Sequence, residues 1–228
     1  MSIDTHRILF CDSDLLAVNK LAGELVVAGG ERLKTGHKAD GEVLPLLDFL
    51  RKDYPGLRAL HRLDYETSGV VLFARTKRAY EVVRASKFEG WKKKYLALVM
   101  GRMSPATGEI RLPLPSRGEG NLPALTRYTA LEEYANSSYV EVEIETGRHH
   151  QIRRHFSMIR HPLALDQVYG HKGFNRVFSQ EFRLHKFFLH ASVLELPHPF
   201  TGEHLHIEAP LPRSFQDILK RLRSLSKG

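Results

Sequence analysis

The sequence predicts an α+β fold in which a mixed, mostly antiparallel sheet is flanked by helices. Segments with the pattern of strands follow one another in runs, and helical segments are scattered among them. A parallel α/β sheet would instead show regular alternation of strand and helix. The chain has no internal repeat of fixed period and no linker long enough to separate domains. We therefore expect residues 1–228 to form a single domain.

Strand patterns dominate the beginning of the chain. Residues 7–20 contain two short β-rich runs, separated by turn-forming residues at 12–14. The polar, basic segment 29–41 has few apolar anchors, which predicts a mobile loop. Apolar residues at helical spacing, followed by a Pro-Gly stop, predict a helix over 42–56. Two further strands are predicted at 57–63 and 69–75.

The remainder of the chain combines helices with strands that are expected to pair antiparallel. A second basic loop, rich in Gly and Pro, occupies residues 115–123. The predicted helices are 77–90, 148–160 and 213–225. The predicted strands are 92–102, 124–135, 137–147, 186–196 and 204–209.

The chain carries an excess of positive charge. Lys and Arg number 34 against 26 acidic residues, which gives a formal net charge of +8. This balance favours a polyanionic partner. The single cysteine, Cys11, excludes an intrachain disulfide framework and fits a reducing cytoplasm. The start lacks a signal-peptide pattern, and no apolar run approaches the roughly 18 residues that span a bilayer. We expect a soluble, cytoplasmic protein without a membrane segment.

Asp64 stands out in the connection between two predicted strands. It lies in the segment LHRLDYETSG, residues 60–69, directly after a His-Arg-Leu run. Connections between rigid strands commonly display catalytic groups. An Asp three residues before a Thr is also a common turn pattern, in which the carboxylate accepts hydrogen bonds from nearby amides. Spacing alone leaves both interpretations open.

Arg148 is a second candidate, at the start of the basic helix predicted over 148–160. The buried side of this helix is expected to contain Ile152, Phe156 and Ile159. Because Arg148 lies four residues before Ile152, its guanidinium is expected on the buried side of the first turn. A buried arginine needs a partner, commonly a carboxylate, although a side chain at a helix end can also reach solvent. Arg153 lies off this side and is expected to meet solvent or phosphate.

Other patterns are weaker. Tyr95 follows three lysines in an otherwise aliphatic strand and, taken alone, predicts a core tyrosine with its hydroxyl at the edge. The 13 histidines include no HExxH motif, so we expect no metal site. Ser68 is not part of the G-x-S-x-G motif that forms the nucleophile elbow of serine hydrolases. The HRLD run resembles a kinase catalytic loop, but the sequence has no kinase Gly-rich loop.

The segment HRLDYETSG, followed by an apolar strand, resembles the signature of the RluA-type pseudouridine synthases. The resemblance covers nearly the whole chain. It includes ILFCDSDLLAVNKLAG, KKYLALV, TGRHHQIRRH, HPLALDQVYG and LHASVLELPHPFTGE. This chain has Leu21 where the family usually has Pro, and Leu165 where it usually has Gly. We expect these departures to alter local turns rather than reactive groups. We expect no S4-type domain before the catalytic domain, so recognition is expected from residues 1–228 themselves.

The resemblance implies the pseudouridine synthase catalytic fold and an isomerisation of uridine in RNA that needs no cofactor and no metal. The N1–C1′ bond breaks, the base turns, and C5 bonds to C1′. The implied catalytic residues are Asp64 as the essential carboxylate, Arg148 as the cation that keeps it ionised, and Tyr95 as the ring that stacks on uracil. Whether Asp64 attacks the base or the sugar, or removes a proton, stays open. The implied substrate-binding residues are Arg62, His61, Thr67, Ile152 and Arg153.

The resemblance also implies how RNA is engaged. A stacked uridine must flip out to reach a pocket, and Arg62 is expected to fill the vacated stack or bind a phosphate. The two basic loops are expected to clamp the RNA backbone through Arg32, Lys34, Lys38 and Arg117. The motifs look closest to the tRNA-modifying branch, with ribosomal RNA nearly as well supported, and we expect a monomer.

Two other classes of function are compatible with parts of the sequence. A non-catalytic RNA-binding module would explain the charge but not a buried arginine together with Asp64. A glycoside or nucleoside hydrolase would need a second acid near Asp64, and Glu66 is the nearby candidate.

Overall fold

A computed structural model of the chain describes residues 3–28, 44–116, 118–184 and 186–226. The loop predicted at 29–41, with Arg32, Lys34 and Lys38, lies outside these residues, and so does Arg117. The chain divides into two compact units. The first comprises Met1–Trp91 and Ala191–Pro210, and the second comprises Lys92–His190 and Leu211–Gly228.

The strands and helices are numbered here in chain order. The strands are β1 (Ile8–Cys11), β2 (Leu15–Lys20), β3 (Arg58–Ala59), β4 (Ser68–Ala74), β5 (Lys92–Met100), β6 (Thr107–Ile110), β7 (Leu114–Pro115), β8 (Asn121–Leu122), β9 (Thr126–Glu133), β10 (Ser137–Ile144), β11 (Leu189–Pro197) and β12 (His204–Glu208). The helices are α1 (Leu46–Leu50), α2 (Lys77–Ala85), α3 (Gln151–Met158), α4 (Lys172–Phe182) and α5 (Arg213–Leu225), with a 3-10 turn at Thr5–Arg7.

In the first unit, the strand order is β1–β2–β4–β11, with β3 paired to β4 and β12 paired to β11. Strands β2 and β4 are antiparallel and end with Lys20 opposite Gly69. Gly69 has a φ of +113°, and a Cβ there would lie 2.1 Å from the carbonyl oxygen of Ala191. Only glycine fits this close approach, which fixes where the segment that carries Asp64 joins β4.

The core of the first unit is apolar and continuous across its sheet and helix α2. It is formed by Leu15, Ala17, Leu60, Val70, Leu72, Ala74, Ala79, Val83, Trp91, Leu194, Leu196, Leu205, Ile207 and Ala209. Helix α2 begins after Thr76, whose side chain accepts a hydrogen bond from the backbone N–H of Ala79 (3.0 Å). The short connection from β3 to β4 is therefore anchored at both ends in a packed core.

In the second unit, the strand order is β5–β10–β9–β6, and each of these pairs is antiparallel. Strands β7 and β8 form a separate two-stranded ribbon. Helix α5 packs its Phe215 ring on the Phe188 ring, with 3.8 Å between centroids. Tyr95 lies in the N-terminal half of β5, opposite Val142 in β10.

The fold class predicted from the sequence is confirmed, and every strand pair whose register is described is antiparallel. The helix predicted over 42–56 is shorter, at Leu46–Leu50. Helix α4 was not predicted. Its signal was the recurrence of Phe174, Phe178 and Phe182 every four residues, and these rings pack in sequence along the helix. In the described parts of the chain, no helix is long and apolar enough to cross a membrane.

Candidate active site

Asp64 lies in the connection between β3 and β4, as predicted. It is half-buried, and its backbone carbonyl accepts a hydrogen bond from the N–H of Thr67 (3.1 Å). This contact closes the Asp-x-x-Thr segment into a turn. The segment thus forms a turn, which is closed by the Asp64 carbonyl oxygen, and the closed backbone fixes the position from which the Asp64 side chain projects.

The side chain of Lys20 is hydrogen-bonded to the backbone of this turn. Its side chain is fully buried at the end of β2, and its ammonium donates to the carbonyl oxygens of Leu21 (3.0 Å), Tyr65 (3.1 Å) and Thr67 (2.6 Å). Sequence reasoning did not single out Lys20. The available signal was a lysine at the end of the apolar strand LLAVNK, where a buried cation requires several acceptors.

The neighbours of Asp64 have different environments. Arg62 is exposed, so its guanidinium can reach a ligand in solution. His61 is half-buried, and its Nε2 accepts a hydrogen bond from the N–H of Leu72 (3.0 Å), which makes it part of the β4 packing. Thr67 is 2% exposed, and among the described residues its Oγ1 has no hydrogen-bond partner. A buried hydroxyl without a partner calls for an explanation, and one explanation is a ligand.

In the second unit, Tyr95 is buried in β5, at 8% exposure. Lys93 projects from the same face of the strand, two residues earlier, and burial lowers its pKa from the ordinary value. Ile152 is also buried, on helix α3. The predicted burial of Tyr95 and of Ile152 is confirmed.

The predicted position of Arg148 is wrong. Helix α3 begins at Gln151, after His150, which has a left-handed backbone with φ of +54°. This residue breaks the helical phase, so Arg148 lies before the helix rather than on its first turn. Arg148 is half-buried, and its Nε donates to the carbonyl oxygen of Pro123 (3.4 Å) rather than to a carboxylate among the described residues.

The buried arginine is Arg153, and the prediction that it meets solvent or phosphate is wrong. Its Nε and Nη2 donate to the two oxygens of Asp166 at 2.6 and 3.0 Å, and both side chains are almost fully buried. The guanidinium also lies over the rings of Phe187 and Tyr169, 4.6 and 5.1 Å from their centroids. A bidentate pair of this kind fixes the position of the arginine plane.

Asp166 is itself held by its surroundings. Its Oδ1 accepts from the backbone N–H groups of Val168 (2.9 Å) and Tyr169 (3.0 Å). The preceding Leu165 has a φ of +68°, a conformation that costs a residue with a Cβ about 1 kcal/mol. Asn175 binds both sides of this turn, through the N–H of Leu165 and the carbonyl of Asp166. The departure at Leu165 therefore affects a local turn, as expected, and that turn presents Asp166 to Arg153.

A buried polar network fixes the start of α3. Gln151 accepts from the N–H of Arg148 (3.1 Å) and donates to the hydroxyl of Thr126 (3.1 Å). That hydroxyl lies 2.9 Å from Nδ1 of His155, whose Nε2 lies 2.8 Å from the carbonyl oxygen of Leu112. Because a carbonyl only accepts, Nε2 carries the proton and Nδ1 accepts from Thr126. Burial lowers the pKa of His155, which favours this neutral form.

One group of potential metal ligands occurs among the described residues, and it fits hydrogen bonding better than coordination. Asp12, Asp14 and His198 bring their side-chain atoms within 4.8 Å of one another. Nδ1 of His198 faces the N–H groups of Phe200 (3.4 Å) and Thr201 (3.2 Å), so it acts as an acceptor. Nε2 then carries the proton and lies 3.1 Å from Asp12 Oδ2.

Comparisons with known proteins give the context for these residues. A sequence model described as RNA pseudouridylate synthase matches residues 14–158, which include Asp64, Tyr95 and Arg153. The chain is 35% identical over 230 positions to the ribosomal large subunit pseudouridine synthase C of Escherichia coli K12, covering 95% of this chain and 70% of that protein. The protein of the same name from Pasteurella multocida is 37% identical over 229 positions, covering 95% and 68%.

Solved structures agree with the sequence matches. Human RNA pseudouridylate synthase domain containing 4 superposes with a TM-score of 0.74 at 26% identity, covering 96% of this chain and 94% of that one. Human RNA pseudouridylate synthase domain containing 1 gives a TM-score of 0.68 at 27% identity, with 98% of each chain covered.

Proposed function

The chain belongs to the RluA-type family of RNA pseudouridine synthases, and from this premise we propose that its substrate is large-subunit ribosomal RNA and that Asp64 is its essential carboxylate. Membership makes the protein an isomerase that converts uridine to pseudouridine in RNA. The reaction breaks the N1–C1′ and C5–H bonds and forms C5–C1′ and N1–H bonds within one nucleotide. The net reaction consumes no oxidant, reductant or group donor, and we propose that it proceeds without a cofactor.

The observation that carries the assignment of Asp64 is the construction of its turn. A buried lysine clamps three backbone carbonyls in this region, two of them in the Asp64 turn itself, and the Asp64 backbone is tied to Thr67. Such support is typical of a side chain that must keep one geometry through a reaction. Thr67 takes part in substrate binding, and its buried hydroxyl, which lacks a partner among the described residues, supports this role. His61 shapes the loop through Leu72.

Tyr95 is assigned to contact with the uracil ring, and Ile152 to the apolar lining around the base. Of the two arginines, we assign the part in catalysis to Arg153 rather than to Arg148. The prediction rested on an arginine at the buried side of α3, and Arg153 is the residue at that position. Arg148, half-buried before the helix, is assigned to substrate binding. In single-turnover assays at saturating RNA, Arg153→Met should therefore slow the reaction more than Arg148→Met does.

Ribosomal RNA is favoured over tRNA because the two curated relatives described above are named as ribosomal large subunit enzymes. The sequence motifs alone slightly favoured the tRNA-modifying branch, and the names of these relatives shift the preferred substrate to ribosomal RNA. We further propose that residues 1–228 form one catalytic domain, which acts as a monomer in the cytoplasm, where ribosomal RNA is found. The exposed Arg62 is assigned to the RNA, where it takes the place of the flipped base.

The test uses purified protein with large-subunit ribosomal RNA and with total tRNA, both from cells in which the gene is deleted. Pseudouridine and free uracil are measured by mass spectrometry after digestion. Pseudouridine formed in the ribosomal RNA supports the proposal, whereas pseudouridine formed only in tRNA contradicts the substrate assignment. Release of free uracil would instead indicate a hydrolase.

A further inference from the structure

A turn formed by residues 20–24, here called the β2 turn, contacts the Asp64 segment through its backbone. Gly23 donates its N–H to the carbonyl oxygen of Tyr65 (2.8 Å), and the Lys20 ammonium donates to the same oxygen. The Leu21 carbonyl accepts from Lys20 as well. The path of the β2 turn thus decides where two of the donors that hold the Asp64 segment are located.

Glu24 fixes the path of the β2 turn. Its Oε2 accepts the backbone N–H of Leu21 at 2.8 Å, which closes the turn across its own backbone. The same oxygen accepts from Arg7 Nη2 at 2.5 Å, and Arg7 Nε donates to the carbonyl oxygen of Asn19 at 3.0 Å. The Arg7 and Glu24 side chains are only 19% and 26% exposed, so their ion pair is partly shielded from solvent.

The side chain of Leu21 does not explain the conformation of the turn. It is 50% exposed and therefore adds little to the core. The interaction at this position is instead made by the backbone N–H of Leu21, which donates to the Glu24 carboxylate. A charged acceptor for a backbone N–H is one of the stronger hydrogen bonds that a protein makes.

We propose that Glu24 is a positioning residue for Asp64: through the Leu21 N–H and with Arg7 behind it, Glu24 holds the β2 turn, and the β2 turn holds the Asp64 segment. The proposal rests on the proposed role of Asp64 as the essential carboxylate. On this proposal, loss of Glu24 loosens the Asp64 segment but removes no group that contacts RNA. It therefore predicts a loss of rate and not a loss of RNA affinity.

The test compares Glu24→Ala in two backgrounds, the natural chain and Leu21→Pro. Proline has no N–H to donate, and its ring fixes φ, so the turn no longer depends on the Glu24 carboxylate. The matched control is Leu21→Ala, which keeps the N–H and changes only an exposed side chain. Each variant is assayed for single-turnover rate at saturating enzyme and for RNA dissociation constant, and a thermal melt verifies folding.

The expected result is a loss of about tenfold in single-turnover rate for Glu24→Ala in the natural chain, and of less than about twofold in the Leu21→Pro background. RNA affinity should stay within about twofold throughout, and Leu21→Ala should behave as the natural chain does. An equal loss in both backgrounds contradicts the proposal, because Glu24 then does not act through the Leu21 N–H. No loss in the natural chain contradicts it as well, and so does a loss confined to affinity.

Asp64→Asn in the same assay separates this inference from the proposed function. If Asp64→Asn keeps its rate, the assignment of Asp64 is what fails. If Asp64→Asn is inactive and Glu24→Ala is not slowed, only the positioning role fails. Should Glu24→Ala not fold, Glu24→Met replaces it in both backgrounds, since it keeps the length of the side chain but has no oxygen to accept the Leu21 N–H.

Discussion

Thr67 carries a buried hydroxyl for which the described residues offer no partner. Leaving such a group unpaired costs about 1–3 kcal/mol, a cost that a protein avoids unless the group has another use. Thr67→Val keeps the shape of the side chain and removes the hydroxyl. We predict that it leaves the melting temperature unchanged or raises it, while turnover of RNA falls about tenfold or more.

Thr67→Ser is the control for this experiment, because it keeps the hydroxyl and removes only a methyl group. Thermal melts and single-turnover rates are measured on all three proteins. A Val variant that is both less stable and fully active would show that the hydroxyl serves the fold and not the substrate.

Arg148 and Arg153 make a second comparison at the level of single residues. Arg153→Met leaves the Asp166 carboxylate buried without its cation, so the free energy of unfolding should fall by about 3 kcal/mol or more. Arg148→Met removes a half-buried side chain that contacts one carbonyl, and should change it by less than about 1 kcal/mol. Urea unfolding measures both values, and similar losses in the two variants would contradict the placement of these arginines.

At the scale of elements, helix α3 depends on the neutral form of His155. Burial lowers its pKa below the ordinary 6.5, so the unfolded chain takes up the proton before the folded protein does. The stabilising contribution is therefore complete above pH 6.5 and is lost as the pH falls below 6.5 toward the lower pKa of the folded state. We predict a decrease in the free energy of unfolding between about pH 7 and 5 that is absent in His155→Gln.

Urea unfolding at several pH values measures this effect, with His161→Gln as the control. His161 also contacts a backbone carbonyl, that of Met100, but lies outside the α3 network. Equal pH dependence in the natural chain and in His155→Gln would mean that other groups determine it.

The elements that could be predicted are those with a clear local pattern. Strand β5 and helix α5 were predicted within a few residues, and strands β9 and β10 pair around Asn136 as expected. The Asp64 segment was found because a strand precedes it and a strand follows it. Helix α4 was missed, although its phenylalanines recur at helical spacing and pack in sequence along the helix.

The arginine assignment failed for a reason that local patterns do not contain. Counting back from Ile152 assumes that the helix extends to Arg148. It does not, because His150 has a left-handed backbone and the helix begins only at Gln151. The partner of Arg153 is thirteen positions away, and it is presented by a positive φ at Leu165 that sequence propensity disfavours. Lys20 was overlooked for a similar reason, since its acceptors are backbone carbonyls up to 47 positions away.

At the scale of the whole molecule, charge and RNA structure determine different steps. A chain with a formal charge of +8 releases counterions when it binds phosphates, so RNA affinity should fall steeply with salt. The isomerisation should instead depend on how easily the target uridine leaves its stack. Annealing a complementary strand over the target should slow modification about tenfold or more, which corresponds to about 1.4 kcal/mol at the barrier.

Arg62 links this prediction to one side chain. Arg62→Ala should lose more rate on a structured RNA than on a relaxed loop, because the exposed guanidinium no longer holds the vacated position. Arg84→Ala, which removes an exposed arginine of helix α2, serves as the control. The assay uses a looped and a fully duplexed form of the same target. Equal rates on both forms, for natural and variant proteins alike, would contradict base flipping as a requirement.

The central claim is that Asp64 performs the chemistry while many other groups share the binding of RNA. Asp64→Asn replaces one carboxylate oxygen by an NH2 group and keeps the shape of the turn. RNA affinity should therefore stay within about threefold, or about 0.7 kcal/mol. The measurement is pseudouridine formed per enzyme under single-turnover conditions, together with the RNA dissociation constant. We predict no product above about one per cent of the natural rate. Product formed faster than that by the Asn variant, at unchanged affinity, would remove Asp64 from the reaction.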